Sequence, residues 1–373
     1  MHHDQENKAI EQSFRQLFAR CDGVVGSEAN YQAALAVELE RHFPGRVRRE
    51  RRLQATGRGG VDVVVIDQDG NPEFAFELKG GAYNSRNALQ DVFSSTGNCS
   101  DMQRLAKIDL YPDKRWLVAV DAVELCRSLP YQQQLKAAEA AASAGVSFAY
   151  YGHRDESYLL ARPGSKIRYL DVVSEMRPAG KPVNINRLLK PGLITEALGA
   201  VVDSVELEAD LVSVIYSALS RDGYSPSQMA LETYFGFAPG HMAQRPDLCL
   251  FEPEIEGHFN LYPRGNVALS NDSLKIQTLR LLVEVKGGIS LLRTRDQTLS
   301  KVYLGDIEKL AMWRTLIDRA TTDSHIRSPD RSFLFIGADM RRTPLSNEII
   351  EMLSMVANRA GVHFMYIHMP LES

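Results

Sequence analysis

The feature that most constrains the fold is a motif that occurs twice. The stretch "FELKGG" (Phe76–Gly81) ends a run of apolar residues with an acid, a lysine two positions on, and two glycines, and "VEVKGG" (Val283–Gly288) repeats it. Laid over each other at these lysines, the two halves agree well beyond six residues. Upstream, "EANYQAALAVEL" from Glu28 answers "EADLVSVIYSAL" from Glu208, with apolar positions matched at Tyr31 and Leu211, Leu35 and Ile215, Leu39 and Leu219. That spacing is helical. A strand carrying one aspartate follows in each copy: "GGVDVVVID" with Asp62 and "RPDLCLFE" with Asp247. Downstream, an arginine stands seven residues past each lysine (Arg86, Arg293) and a glutamine eleven past (Gln90, Gln297).

Farther on, "SDMQRLAK" answers "GDIEKLAM", and Asp101 and Asp306 read as helix N-caps. The strands "RWLVAVD" and "SFLFIGAD" come next, and each half closes with a helix, an Ala-Gly-Val step and a strand. The glycine of that step reads as a helix terminator. The unit expected twice is therefore α-β-β-α-β-α-β, an α/β protein with two mixed sheets flanked by helices. In numbers, residues 1–24 form an N-terminal tail or helix, 25–151 the first module, 152–203 a linker and 204–370 the second module. The second module is interrupted at about 253–278 by a segment expected to form hairpins, with turns at Pro263–Asn266 and Ser270–Ser273. The linker is expected to hold a short strand near Tyr158–Leu160.

A length of 373 residues and 44% hydrophobic content suit two ordinary domains. The formal charge of −4 supplies no global attraction to nucleic acid, and the basic run "RVRRERR" (Arg46–Arg52) reads as a solvated face. Four scattered cysteines, without a C-x-x-C pair, argue against a zinc ribbon or a disulfide framework. With no apolar leader and no apolar run near the ~18 residues of a membrane span, a soluble, cytoplasmic protein is expected. His153, His241 and His258 lack metal-ligand spacing and read as loop residues, and no phosphate-loop, dinucleotide or hydrolase-elbow motif occurs.

Glu77 and Lys79 lie two apart on a strand, so they share a face, as do Glu284 and Lys286. With Asp62 or Asp247 from the neighbouring strand they can meet at one sheet edge. Two carboxylates and the main-chain carbonyl of the residue between, Leu78 or Val285, make an oxygen site suited to Mg²⁺, with Mn²⁺ as a substitute. A lysine beside it offsets negative charge developing on a phosphate. The glycines leave room for a bulky backbone to approach. A lone D…E-x-K reads far more readily as a cross-strand salt bridge; its recurrence with the helix glutamate, arginine and glutamine in register favours a kept site.

This constellation resembles the PD-(D/E)XK nuclease superfamily, the restriction-endonuclease-like fold, present as a tandem duplication. The second copy carries "RPDL" and then "VEVK", while the first has "GVD" without the proline. The resemblance implies metal ligands Asp62, Glu77, Asp247 and Glu284, catalytic lysines Lys79 and Lys286, and supporting glutamates Glu28 and Glu208. Gln90 and Gln297 are similar to a helix glutamine of some branches and, with Arg86 and Arg293, are candidate substrate contacts. The implied activity is Mg²⁺-dependent hydrolysis of DNA, double-stranded by expectation, in restriction or antiviral defence. The two sites would act as a pseudo-dimer, in a monomer or a homo-oligomer. RNA stays open as substrate, because the metal chemistry acts on phosphate. Two alternatives stand beside it: one module catalytic and the other a scaffold or DNA-binding module, or a non-catalytic nucleic-acid-binding subunit of a larger complex.

Overall fold

Buried strand runs set the architecture. "FAFEL", "WLVAV" and "SFAYYG" are buried along nearly their whole length, as strands covered on both faces by helices must be. The computed structural model describes residues 2–24, 26–53, 60–80, 101–121, 129–153, 155–172, 180–189, 192–200, 207–233, 235, 245–257, 259, 272–323 and 329–370. The chain divides into two units, Met1–Pro178 and Ala179–Ser373.

In the first unit, α1 (His2–Cys21) and α2 (Glu28–Glu40) precede strands β1 (Val47–Arg52), β2 (Gly60–Ile66) and β3 (Pro72–Gly80). Then come α3 (Asp101–Ala106), β4 (Arg115–Asp121), α4 (Tyr131–Ser143), β5 (Ser147–Gly152), β6 (Ser157–Ala161) and β7 (Arg168–Asp171). The seven strands lie in chain order. β3, β4 and β5 run parallel to one another, and every other neighbouring pair is antiparallel. Ile10, Phe14, Leu17, Phe18 and Cys21 form one helical stripe on α1 and pack with Tyr31, Leu35 and Leu39 of α2 onto Phe76, Trp116 and Tyr151. Leu105 of α3 and Ala137, Ala138 and Ala141 of α4 cover Leu117, Phe148 and Tyr150 on the other face.

The second unit opens with α5 (Ile185–Leu189), α6 (Leu193–Gly199) and α7 (Glu208–Arg221). These are followed by β8 (Met229–Leu231), β9 (Leu248–Phe251), α8 (Asp272–Thr278), β10 (Leu279–Lys286), α9 (Asp296–Asp323), β11 (Ser332–Asp339), α10 (Asn347–Ala360) and β12 (His363–His368). Its sheet order is β12-β11-β10-β9-β8, with β10, β11 and β12 parallel and the other pairs antiparallel.

The duplication extends to register. Val63 pairs with Phe76 and Leu248 with Val283, so in each unit the next step along the ladder sets the aspartate opposite the glutamate. Across the parallel strands, the row Glu77–Leu117–Phe148 repeats as Glu284–Phe335–Phe364. The Ala-Gly-Val step ends both closing helices in the same way. Gly145 (φ +70°) and Gly361 (φ +67°) turn left-handed, and the following valine N–H donates to Ala141 or Ala357.

Several expectations are corrected. The basic run is a strand, and the solvated-face reading fails at one position: Arg49 is buried and donates to Gln32 Oε1 at 3.1 Å. The segment 152–203 is no simple linker, since it supplies β6 and β7 to the first sheet and α5 and α6 to the second unit. Ser157–Ala161 is the short strand expected there. In the interruption of the second module, Pro253–Ile255 is a 3₁₀ turn and Asp272–Thr278 a helix where hairpins were expected; the turn at Pro263–Asn266 lies outside the described residues. Asp306 sits in the interior of α9, so it is not an N-cap, while Asp101 is the first residue of α3.

Candidate active site

The site begins with where strands end. In the first unit the β2–β3 ladder stops at Val63–Phe76, and Asp62 folds across the gap so that its Oδ2 accepts the Leu78 N–H at 2.7 Å. In the second unit Asp247, one residue before β9, accepts the Val285 N–H at 2.6 Å in the same way. A strand residue points its N–H and C=O to the same edge. The Leu78 and Val285 carbonyls therefore face the aspartates too, as the expected oxygen site requires.

Glu77 and Glu284 point to the same face as the lysines and are almost fully buried. One oxygen of each has a cationic partner: Arg104 Nη2 meets Glu77 Oε1 at 3.0 Å, and Lys309 Nζ meets Glu284 Oε2 at 2.8 Å. The other oxygen, Glu77 Oε2 or Glu284 Oε1, is buried without a donor. Leaving an acceptor unpaired costs about 1–3 kcal/mol, and in both units it is the oxygen that the cation leaves free. An orphaned carboxylate oxygen beside a second carboxylate fits a hard cation, so the residues present suit Mg²⁺. Among the described residues no three His, Cys, Asp or Glu side chains converge as a ready metal shell; the expected shell uses two carboxylates and a carbonyl, completed by water.

The lysines are tethered by the first helix of each repeat. Lys79 Nζ lies 3.1 Å from Glu28 Oε1 at the start of α2, and Lys286 Nζ lies 2.9 Å from Glu208 Oε2 at the start of α7. The pairing of helix glutamate with strand lysine is thus present twice. The surroundings differ in one respect. Asp101 Oδ2 reaches Lys79 at 2.9 Å and also pairs with Arg104, whereas Asp306 forms no such bond and its Oδ2 is buried without a donor.

Crowding acids in a poorly hydrated corner raises their proton affinity. Burial pushes Glu28 up to about 7, against the pull of Lys79. Burial, and then the neighbouring Asp62, hold Glu77 well above the usual carboxylate range, and burial raises Asp62 as well. Burial pushes Asp247 up to about 7, and burial reinforced by Asp247 pushes Glu284 up to about 8. Burial alone would depress both lysines, but Glu28 and Asp101 around Lys79, and Glu208 beside Lys286, hold them above their ordinary value. Such shifts gather at functional sites, although ion-pair networks produce them as well.

The structure thus brings together Asp62, Glu77, Lys79 and Glu28 in one unit and Asp247, Glu284, Lys286 and Glu208 in the other. Arg86 and Gln90 lie outside the described residues, as do His241 and His258. Arg293 and Gln297 are exposed, before and in the first turn of α9, and neither bonds Asp247, Glu284 or Lys286. His153 is half-buried, with its Nδ1 2.6 Å from Asp22 Oδ1. Arg104 and Lys309 also belong to the site. Their signal was a basic residue three after Asp101 and Asp306 in both copies, one helical turn on, which aims it at the strand glutamate.

Comparison of the chain with known protein families, with curated proteins and with solved structures finds no match in any of the three.

Proposed function

We propose that the chain is a metal-dependent nuclease with two phosphodiester-cleaving sites, one in each unit, resembling PD-(D/E)XK enzymes in tandem. One observation carries the reading: aspartate, E-x-K and helix glutamate recur at the same register of two sheets, each with a buried glutamate oxygen that has no donor. That oxygen is left over once the cation pairs are made, and a hard cation would use it.

Each residue then has a task. Asp62 and Asp247 are oriented by backbone N–H groups and, with Glu77 and Glu284, would hold Mg²⁺ or Mn²⁺. The ion, when bound, supplies Lewis-acid charge at the phosphate oxygens. Lys79 and Lys286, kept protonated by their acids, bring a fixed ammonium toward charge developing on the phosphate. Glu28 and Glu208 hold those ammoniums in place. Gly80 and Gly287 let the chain pass close to β4 and β11, where an added Cβ would lie 2.6 Å from the Val120 carbonyl oxygen and 2.9 Å from Ala338 Cβ.

DNA is the proposed substrate, and double-strand cleavage by the two sites as a pseudo-dimer is the proposed outcome, in restriction or antiviral defence. A second reading, with one module catalytic and the other a scaffold, draws on the difference between the lysines: Lys79 is held by two carboxylates and Lys286 by one. The test is incubation of supercoiled plasmid, single-stranded DNA and RNA with the protein in Mg²⁺, Mn²⁺ or EDTA. Cleavage of plasmid that EDTA abolishes supports the proposal. No cleavage of any of the three would sink it.

A further inference from the structure

On the face of the first sheet opposite Glu77, α1 and the β6–β7 hairpin enclose a cavity of about 400 Å³. Lys8 and Glu11 of α1 and Arg162, Lys166 and Arg168 of the hairpin line it, over a floor at Leu160. Four cations face one carboxylate in a chain whose formal charge is −4. Glu11 is overcommitted: its Oε1 accepts from Arg162 Nη2 at 3.0 Å and from Arg168 Nη2. Lys8 and Lys166 form no ion pair among the described residues. Arg162 is fixed rather than solvated. Its guanidinium lies 5.3 Å from the Trp116 ring centroid, its side chain is 15% exposed, and its Nε is buried without an acceptor. The wall opposite is equally held, because the Tyr158 hydroxyl donates to the Glu11 carbonyl at 3.0 Å and pins α1 to β6.

We propose that this cavity is a binding site for a small phosphate-rich anion, such as pyrophosphate or the phosphate chain of a nucleotide. The excess of about three positive charges in one concave site suits several phosphate oxygens held close together. Two arginine forks and two lysine point charges are the donors that phosphates take. Among the described residues no ring lines the cavity to stack a base, so recognition centres on phosphate, and the carboxylate of Glu11 stands where the ligand's own oxygens would bind. Three strand spacings, roughly 15 Å, and the thickness of the sheet separate it from Glu77, so it is distinct from the metal-binding edge. It also stands independently of the nuclease reading. Occupancy would bear on α1, which packs on α2, the helix whose Glu28 holds Lys79.

The test is calorimetric titration of the full chain with pyrophosphate in EDTA at physiological ionic strength, with sulfate as the reference anion. Lys166 and Arg168 are exposed, so a Lys166→Gln/Arg168→Gln variant should fold, which its urea midpoint checks. The expected result is pyrophosphate binding tighter than sulfate, weakened roughly tenfold or more in that variant. Binding should be unchanged in Asp62→Ala and tightened in Glu11→Gln, where the internal competitor is gone. A nucleoside triphosphate should bind whatever its base. Equal binding of pyrophosphate and sulfate, indifference to the double variant, or loss in Asp62→Ala would overturn the proposal. So would a DNA duplex that needs Lys166 and Arg168 while pyrophosphate does not bind, because the cavity would then be part of a DNA track.

Discussion

Glu284→Gln isolates what the candidate site costs the fold. Glu284 is 3% exposed, faces Asp247, and leaves Oε1 without a donor. Burial and that neighbour push its carboxyl from 4.5 to about 8. Between those values the folded protein keeps a proton that the unfolded chain has released. The stabilisation is therefore complete below about 4.5 and is lost as pH rises through about 8. At about 1.4 kcal/mol per tenfold, the ionised carboxylate costs roughly 5 kcal/mol at most. Glutamine has the same shape and does not ionise. The variant should match wild type at pH 4, gain on it as pH rises, and exceed it at pH 9 by about 2–4 kcal/mol, since Lys309 loses its partner and returns part of the gain. Mg²⁺ should close most of that gap at pH 9, because it needs the carboxylate; at a hundred times its dissociation constant it adds about 2.7 kcal/mol to wild type and much less to the variant. Each unit holds one of the chain's two tryptophans, Trp116 and Trp313, so urea unfolding followed by fluorescence in a Trp116→Phe background reports the second unit alone. A variant less stable than wild type at both pH values, with Mg²⁺ acting equally on the two, would refute the reasoning.

Other outcomes follow from packing. Phe18→Ala removes a ring buried among Tyr151 and Tyr158 and should cost the first unit about 3–5 kcal/mol in urea unfolding, whereas a loose N-terminal tail would cost nothing. Tyr150→Phe removes a hydroxyl that donates to Asp121 Oδ2 at 2.7 Å and accepts the Leu129 N–H at 2.6 Å; a loss of about 1–3 kcal/mol is expected by thermal denaturation. Gly145→Ala and Gly361→Ala both force a side chain into left-handed backbone, at about 1 kcal/mol. The second should cost more, because its Cβ would collide with the Arg314 guanidinium that caps Ala360, and equal melting shifts would contradict this.

Periodicity and pairing made part of this legible in the sequence. The lysine motif, the aspartate strands, the helix glutamates and the Ala-Gly-Val terminators all rest on local chemistry, and each appears at matching register in both units. What escaped was set by tertiary context. "RVRRERR" reads as a charged surface until α2 offers Gln32 to Arg49. β7 is short and largely polar, and its identity as a strand comes from pairing with β6. Asp306 resembles a cap because Gly305 precedes it, yet the helix starts ten residues earlier and runs through it. The basic residue three after Asp101 and Asp306 recurs in both copies, but only the placement of these helices over β3 and β10 makes Arg104 and Lys309 partners of the glutamates.

The central claim, two metal-dependent sites in one chain, is tested most directly by plasmid cleavage in Mg²⁺ with wild type, Asp62→Ala, Asp247→Ala and the double variant. The account predicts linear DNA from wild type, nicked circles from each single variant and intact plasmid from the double. Full double-strand cleavage by either single variant, or by the double, would contradict it.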